Sequence, residues 1–253
     1  MFEIEDKIVD FFRESVFDGD NFDEFDSELP NKSAVKSVLE MLQEERKTFP
    51  IYPFREELLQ AVSEYLVLAI VGETGCGKTT QIPQYLYEVG YTKQGKIECT
   101  QPRRITATSV ATRVYQKMGV KLRHGVGYSI CFEDCTSYKT VLKYMTDGML
   151  LLEIVIEPSL ESYSVLIVDE AHERTLSTDI LFGLLKDLIN YRPDLKLLIS
   201  SATLNAKKFS DYFGSTPIFK IGGRKYPVEL FYTKAPEADY IEAAIIIATD
   251  PCK

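Results

Sequence analysis

The sequence has few histidines and cysteines, the usual ligands of structural zinc sites, and has no apolar run long enough to cross a bilayer. Its 253 residues include no tryptophan, five cysteines and only two histidines, His124 and His172. An odd number of cysteines without a secretory signal indicates free thiols in a reducing compartment. The longest apolar stretch, residues 65–71, is far shorter than the ~20 residues of a membrane-spanning helix. We therefore expect a soluble protein with no membrane partner and no structural metal. Cys131 and Cys135 alone have a spacing that suggests zinc binding, and packed thiols are the alternative.

Basic charge is scarce at the start of the chain. Residues 1–30 contain 11 Asp/Glu and 2 Lys/Arg, which accounts for the whole net charge of −9, so the remaining sequence is balanced. Binding to phosphate backbones rests on clustered Lys and Arg, and this balance gives no sign of such a cluster. Phenylalanines are spread among the carboxylates, and this composition predicts a disordered tail over residues 1–30. A docking role for the tail and a solvated tail without function both stay open.

Four segments are expected along the chain. After the acidic tail, apolar residues at helical spacing predict an amphipathic helix within a linker over residues 31–50. Strand-like and helix-like segments then alternate through residues 51–235, the pattern of an α/β domain with a mainly parallel sheet flanked by helices. Residues 236–253 would begin a connection to a further domain.

The predicted strands and helices place the polar motifs on one edge of the sheet. We predict strands at 67–71, 96–100, 140–144, 165–168 and 196–200, with helices at 79–89, 108–118, 148–156 and 179–191. Parallel sheets collect their ligand loops at the carboxyl ends of the strands. The motifs that follow the predicted strands should therefore face one another.

A glycine-rich loop follows the first predicted strand directly. Its Gly-x-x-x-x-Gly-Lys-Thr pattern predicts a nucleotide site made of Gly72, Glu73, Thr74, Gly75, Cys76, Gly77, Lys78, Thr79 and Thr80. Glycines let successive backbone N–H groups converge on phosphate oxygens, and the helix that starts near Gly77 adds its positive dipole end. Lys78 would neutralise the β- and γ-phosphates of ATP or GTP, and Thr79 would bind Mg²⁺. Pro83 removes an N–H from that helix, which predicts a kink or an irregular turn.

An acidic pair closes another apolar strand. Asp169 would hold Mg²⁺ through water, and Glu170 would orient the attacking water and accept its proton. The predicted magnesium site therefore comprises Thr79, Asp169 and Glu170. A solvated acidic loop would explain the two carboxylates alone, but not together with the glycine-rich loop.

These motifs resemble the DEAH-box RNA helicases. Residues 169–172 spell Asp-Glu-Ala-His, and residues 72–80, 100–104, 146–150 and 201–203 resemble the family's nucleotide loop, two RNA-contacting motifs and coupling motif in that order. The resemblance covers residues 52–240, and the connecting stretches look most like the spliceosomal member that acts before the first catalytic step. It implies a RecA-like P-loop fold and ATP hydrolysis coupled to RNA or RNP remodelling in pre-mRNA splicing.

The resemblance also implies roles for individual residues. Glu170, Lys78 and His172 would be catalytic, and Arg113 would stack on the nucleotide base. RNA would be gripped without sequence reading by Arg103, Arg104 and Thr146. Nucleotide state would be coupled to RNA grip through Ser201, Ala202 and Thr203. Salt-bridged surface arginines and a core histidine are the structural alternatives.

The same resemblance implies partners and limits. Spliceosomal proteins, an activator of the glycine-rich-patch type and residence in the nucleus are expected from it. The family usually has Arg where this chain has Cys131 and Leu152, so RNA binding should be weaker, whereas Cys76 in place of a common Ser should cost little. We also expect low or no autonomous activity, because a second motor domain would supply an arginine finger worth about 10³–10⁵ in rate. A noncatalytic nucleotide- or RNA-binding interaction protein is the alternative, and a small-molecule kinase would leave the downstream motifs unexplained.

Overall fold

The computed structural model describes residues 44–120, 122–202, 206–222 and 239–249. The predicted tail over residues 1–30, most of the predicted linker helix and Thr203 lie outside these residues. Of the predicted linker, residues 44–47 are helical. Residues 223–235 are also outside the description, so the end of the domain predicted at 51–235 stays a prediction.

The described strands form one eight-stranded sheet. They are β1 (Val67–Val71), β2 (Lys96–Gln101), β3 (Val126–Ile130), β4 (Glu133–Cys135), β5 (Leu142–Thr146), β6 (Tyr163–Val168), β7 (Lys196–Ser201) and β8 (Ile218–Lys220). Their order is β4-β3-β5-β2-β6-β7-β1-β8, and every pair is parallel except β3 with β4. The predicted α/β class with a mainly parallel sheet is confirmed.

Seven α-helices longer than a single turn accompany these strands in the described part of the chain. They are α1 (Arg55–Glu64), α2 (Lys78–Glu88), α3 (Arg104–Met118), α4 (Asp147–Ile156), α5 (Leu176–Tyr191), α6 (Ala206–Tyr212) and α7 (Tyr240–Thr249). A 3₁₀ turn at Ala171–Glu173 continues the acidic motif. The helix α5 begins where the Thr175 side chain accepts a hydrogen bond from the N–H of Thr178, which satisfies one of the free donors of its first turn.

Two hydrophobic cores lie on the two faces of the sheet. Along β6, Val165 and Ile167 belong to the core under α1, α2 and α3, whereas Leu166 and Val168 belong to the core under α4 and α5. Successive side chains of a strand point to opposite faces, so a strand buried on both faces, such as β6, is mostly apolar. This accounts for the continuous apolar runs that precede the polar motifs.

Several helices and strands begin at other residues than predicted or were not predicted at all. The strand predicted at 140–144 lies two residues later, because Thr140 belongs to a turn in which its hydroxyl donates to the carbonyl of Arg123 at 2.6 Å. Helix α3 begins at Arg104 rather than at residue 108. Sequence patterns did not reveal the two helices at Arg55–Glu64 and Ala206–Tyr212 or the three strands at Val126–Ile130, Glu133–Cys135 and Ile218–Lys220.

The helix α2 runs unbroken through Pro83, so the expectation of an irregular turn is wrong and the expected kink stays a prediction. Proline at position 83 leaves the carbonyl of Thr79 without its usual helical donor. The buried hydroxyl of Tyr144 donates to this carbonyl at 3.1 Å instead. A side chain of strand β5 thus supplies the donor that the proline cannot provide.

The predicted start of a connection is a helix in the structure. Helix α7 is preceded by Asp239, whose carboxylate accepts hydrogen bonds from the N–H groups of Ile241 and Glu242. Ile241 is 58% exposed and Ile245 is 57% exposed. No helix in the described ranges is both long enough and apolar enough to pass through a membrane.

Candidate nucleotide site

The glycine-rich loop leaves the carboxyl end of β1 and curves into α2. Gly75 and Gly77 have φ angles of +82° and +101°, which residues with a Cβ rarely adopt. A Cβ on Gly77 would also lie 3.0 Å from Ile51 and 3.1 Å from Phe49 side-chain atoms. The N–H of Gly72 donates to the carbonyl of Ser201 at 3.2 Å, which ties the loop to the end of β7. These glycines therefore allow the tight backbone path that phosphate binding requires.

The ammonium group of Lys78 lies inside this loop. The residue is 4% exposed, and its Nζ donates to the carbonyls of Gly72 at 2.5 Å and Glu73 at 3.1 Å. The Sγ atom of Cys76 lies 3.7 Å from the same nitrogen. Neutral carbonyls leave the positive charge uncompensated, so an anionic phosphate would be a stronger partner.

Two of the three predicted magnesium ligands, Thr79 and Asp169, meet through their side chains across 90 positions of sequence. The hydroxyl of Thr79 donates to Oδ2 of Asp169 at 2.5 Å, and the N–H of Glu170 donates to Oδ1 of Asp169 at 2.9 Å. Asp169 is 1% exposed. Hydroxyl and carboxylate oxygens are the ligands that Mg²⁺ prefers, so the residues present fit this cation.

Glu170 has an unusual backbone conformation. Its φ of +50° and ψ of +34° lie in the left-handed region, a strained conformation that is common at functional sites. Burial raises the pKa of the Glu170 carboxyl and the Asp169 carboxylate raises it further, whereas His172 and Lys78 oppose the change. A carboxyl with a raised pKa is suited to accept a proton from water.

The comparison with known families agrees with this geometry. A family model described as an AAA domain matches residues 61–202, which is more than half of the chain. The chain belongs to this family of P-loop NTPases. The matched part of the AAA domain includes the glycine-rich loop, the acidic pair and the residues at the end of β7.

His172 of the AAA domain stands between the acidic pair and the predicted coupling motif. Its Nδ1 lies 3.3 Å from the backbone nitrogen of Ala202, which donates to it, and 3.4 Å from Oε2 of Glu170. One ring nitrogen has either a proton or a lone pair, so it can serve only one of these partners at a time. His172, Ser201 and Ala202 therefore lie at the site, whereas Thr203 is outside the described residues.

The predicted RNA-contacting residues lie on the same edge of the AAA domain. Arg103 is largely exposed and its guanidinium lies 3.1 Å from the Glu173 carboxylate. Arg104 donates to the carbonyl of Cys131 at 3.0 Å, in the turn between β3 and β4. Thr146 ends β5 and immediately precedes α4. The structure thus brings Arg104 to the turn where the DEAH-box pattern usually has an arginine.

Two other predicted nucleotide residues have local partners. Arg113 lies on the outer side of α3, with its guanidinium 3.6 Å from the carboxylate of Glu45, and its stacking on a base stays a prediction. The hydroxyl of Thr80 donates to the carbonyl of Gly77 at 3.5 Å. Arg113 is therefore an exposed side chain with an acidic neighbour in this structure.

Sequence reasoning missed two buried residues of the AAA domain. Tyr144 contacts the first turn of α2, and Gln101 donates through Nε2 to Oδ2 of Asp169 at 2.9 Å. Gln101 belonged to a predicted RNA motif but had received no role of its own. A glutamine directly after the strand predicted at 96–100, two residues before Arg103, was the only signal for it.

The cysteines form no metal cluster in the described part of the AAA domain. Cys76, Cys99, Cys131 and Cys135 are free thiols. No group of three or more His, Cys, Asp or Glu side chains within the described residues could hold a metal ion. The magnesium site predicted at Thr79, Asp169 and Glu170 stays a prediction.

Proposed function

We propose that this chain acts as an ATP-dependent RNA helicase of the DEAH-box class. One observation carries the proposal: three adjacent strands, in the order β5-β2-β6, end in the predicted RNA-contacting and magnesium-binding residues. Thr146 ends β5, Arg103 and Arg104 follow β2, and Asp169 follows β6. Coupling between ATP hydrolysis and RNA binding requires the groups for both to lie near each other, and residues on one edge of a sheet meet this requirement.

The residues present support hydrolysis of a nucleoside triphosphate. Lys78 would bind the β- and γ-phosphates through its ammonium, and Thr79 and Asp169 would hold Mg²⁺. When bound there, Mg²⁺ supplies charge neutralisation on the phosphate oxygens. Glu170 would orient the attacking water and take its proton, because its raised pKa matches the task of a general base.

The residues after the acidic pair support coupling to RNA. Arg103 is paired with Glu173, which lies three residues after Glu170 in the same short turn. An exposed ion pair contributes at most about 1 kcal/mol, so an RNA phosphate can compete for Arg103. Release of Glu173 would then remove a contact that holds the turn with Glu170 and His172.

The wider role is proposed on the DEAH-box resemblance. We propose sequence-nonspecific RNA as the partner, with spliceosomal proteins and an activator of the glycine-rich-patch type as further partners. The place of action would be the nucleus and the process pre-mRNA splicing. ATP is the proposed nucleotide, and stacking by Arg113 would tolerate other bases because a planar cation does not read base edges.

Single-turnover hydrolysis tests the catalytic part of the proposal. The chain is kept in excess over ATP, and Mg²⁺ is present. Glu170→Gln should lower the hydrolysis rate about 10²- to 10⁴-fold and leave ATP bound, because only the proton acceptor is lost. The matched control is Glu64→Gln at the end of α1, on the opposite edge of the sheet from the loop. Equal hydrolysis by wild type and Glu170→Gln would contradict the assignment.

The RNA part is tested in the same assay with a single-stranded oligouridylate. Because the chain alone is expected to hydrolyse ATP slowly, only a small rise in rate with RNA is expected in the wild type, and this rise should fall in the double variant Arg103→Gln, Arg104→Gln. Neither RNA binding nor any effect of RNA on the rate in the wild type would argue against a helicase. Binding of both RNA and ATP without turnover would favour a noncatalytic interaction protein.

A further inference from the structure

Gln101 is the last residue of β2 and lies at the meeting point of the two kinds of motif. It is completely buried. Its Cα pairs with that of Thr146 on β5, and the preceding residue, Thr100, pairs with Val168 on β6, next to Asp169. The side chain therefore starts between the strand that leads to a predicted RNA contact and the strand that leads to the magnesium ligand.

The amide of Gln101 is half satisfied. Its Nε2 lies 2.9 Å from Oδ2 of Asp169, the same oxygen that accepts from Thr79, and 3.8 Å from Sγ of Cys99. Its Oε1 is buried and has no hydrogen-bond partner among the described residues. Buried polar atoms are paired in the great majority of cases, so an orphan oxygen at a site needs an explanation.

The orientation of this amide follows from the chemistry of its neighbour. An ionised carboxylate only accepts hydrogen bonds, so the NH₂ group must face Asp169 and the oxygen must face away from it. A glutamate at this position would place a second negative charge against Asp169, and an apolar residue would have no donor. Glutamine is thus a residue type that donates to Asp169 through its NH₂ group and still has an oxygen that can accept a second hydrogen bond.

We propose that Gln101 is a positioning residue for the magnesium shell. Its Nε2 holds the Asp169 carboxylate in place, and its Oε1 accepts a hydrogen bond from a water molecule on the Mg²⁺ ion. Mg²⁺ keeps several of its waters when it binds to proteins, and these waters are hydrogen-bond donors. Loss of a hydrogen-bond partner of a metal ligand typically lowers metal affinity about 10- to 100-fold. This inference rests on the proposed nucleotide hydrolysis with Mg²⁺.

Gln84 offers a matched control within the same domain. It is 1% exposed on α2, its Nε2 donates to the carbonyl of Thr80 at 2.5 Å, and its Oε1 likewise has no partner among the described residues. Both glutamines are therefore buried amides with an orphan oxygen. Only Gln101 contacts a predicted metal ligand.

The test is a titration of the 253-residue chain with fluorescent ADP, first in EDTA and then with increasing Mg²⁺. Gln101→Met keeps the side-chain volume and removes both amide functions. We expect the Mg²⁺ concentration for half-maximal tightening of ADP binding to rise about tenfold or more, with the affinity in EDTA unchanged. Gln84→Met should titrate like the wild type.

The outcomes separate this inference from the proposed function. A Gln101→Met midpoint equal to that of the wild type would overturn the inference, as would an equal loss of affinity in EDTA, which indicates a merely structural role. Wild-type chain that binds ADP no better with Mg²⁺ would count against the proposed hydrolysis itself.

A structure of the wild type with Mg²⁺ and ADP provides a second test if Gln101→Met does not fold. We expect a magnesium-bound water about 2.5–3.0 Å from Oε1 of Gln101. A well-ordered metal shell with no water in contact with this oxygen would overturn the inference.

Discussion

At the scale of single residues, the nucleotide site depends on buried hydroxyl and amide groups that come from other strands. The first turn of α2 is an example, because Pro83 cannot donate to the carbonyl of Thr79 and Tyr144 donates in its place. Tyr144 is fully buried, and burial raises the pKa of its hydroxyl well above the ordinary value. The Tyr144 side chain thus supports the residue that is expected to bind Mg²⁺.

Removal of the Tyr144 hydroxyl should destabilise the chain. Tyr144→Phe leaves a buried carbonyl without a donor, which costs about 1–3 kcal/mol in the free energy of unfolding. In the Pro83→Ala background the new N–H can bond to Thr79, so the cost of Tyr144→Phe should shrink. Urea unfolding of the four proteins in this cycle measures the difference.

Tyr85→Phe is the control for that cycle. The Tyr85 hydroxyl is buried and has no hydrogen-bond partner among the described residues, so its removal should cost little. An equal cost of Tyr144→Phe with and without Pro83→Ala would show that the hydroxyl does not replace the helical donor.

At the scale of elements, α4 covers a polar group of side chains on β2, β5 and β6. Lys143 contacts the carboxylate of Glu153 on α4, and the hydroxyl of Tyr163 donates to the same carboxylate at 2.5 Å. Glu98 lies beside them, fully buried, with neither carboxyl oxygen paired among the described residues. Burial raises the pKa of the Glu98 carboxyl well above 4.5, and Glu153 and Asp147 add to the shift while Lys143 opposes it.

This cluster should make stability depend on pH. A carboxyl whose folded-state pKa is raised contributes its full stability below the unfolded pKa of 4.5 and loses it as pH rises towards the folded value. Glu98→Gln removes this titration, so it should gain stability over the wild type by up to about 1.4 kcal/mol for each pH unit in that window. Denaturant unfolding at pH 5, 6.5 and 8 measures the difference.

Glu57→Gln controls for the chemical change, because Glu57 is exposed on α1. A difference between Glu98→Gln and wild type that is the same at all three pH values would contradict the burial argument.

At the scale of the whole molecule, charge and function are separated along the chain. Residues 1–30 contain 11 acidic and 2 basic residues, whereas the rest of the sequence is balanced. The exposed Arg103, a proposed RNA contact, is itself paired with a glutamate. Any attraction for RNA is therefore local, and the acidic segment should oppose it over about a Debye length, ~10 Å at 0.1 M salt.

Removal of residues 1–30 should increase the rate of RNA association. At low salt we expect a rise of about tenfold, because a like-charged segment is no longer repelling the RNA, and the gain should disappear at high salt. Stopped-flow binding of a labelled oligouridylate measures this rate. The full-length chain with its 11 acidic residues in this segment changed to amides is the matched control. If only the truncation has an effect, charge is not the cause.

The parts of the fold that could be predicted are those with strong local patterns. The apolar runs before the glycine-rich loop and before Asp169 each predict a strand. The structure has β1 and β6 at those places. Strand β3 contains glycine and serine and gave no such signal. The position of β5 was wrong by two residues because only the turn contact of Thr140 shows where the strand begins.

The sequence by itself determined the type of sheet, the nucleotide loop and the acidic pair, because backbone conformation and buried apolar runs are local properties of neighbouring residues. Only the tertiary structure decided that Tyr144 supports Thr79, that Gln101 contacts Asp169 and that Arg103 pairs with Glu173. Each of these contacts joins residues 65 to 70 positions or so apart in the chain. Which strands become neighbours decides such contacts, and strand order follows from the packing of the whole domain rather than from any one segment.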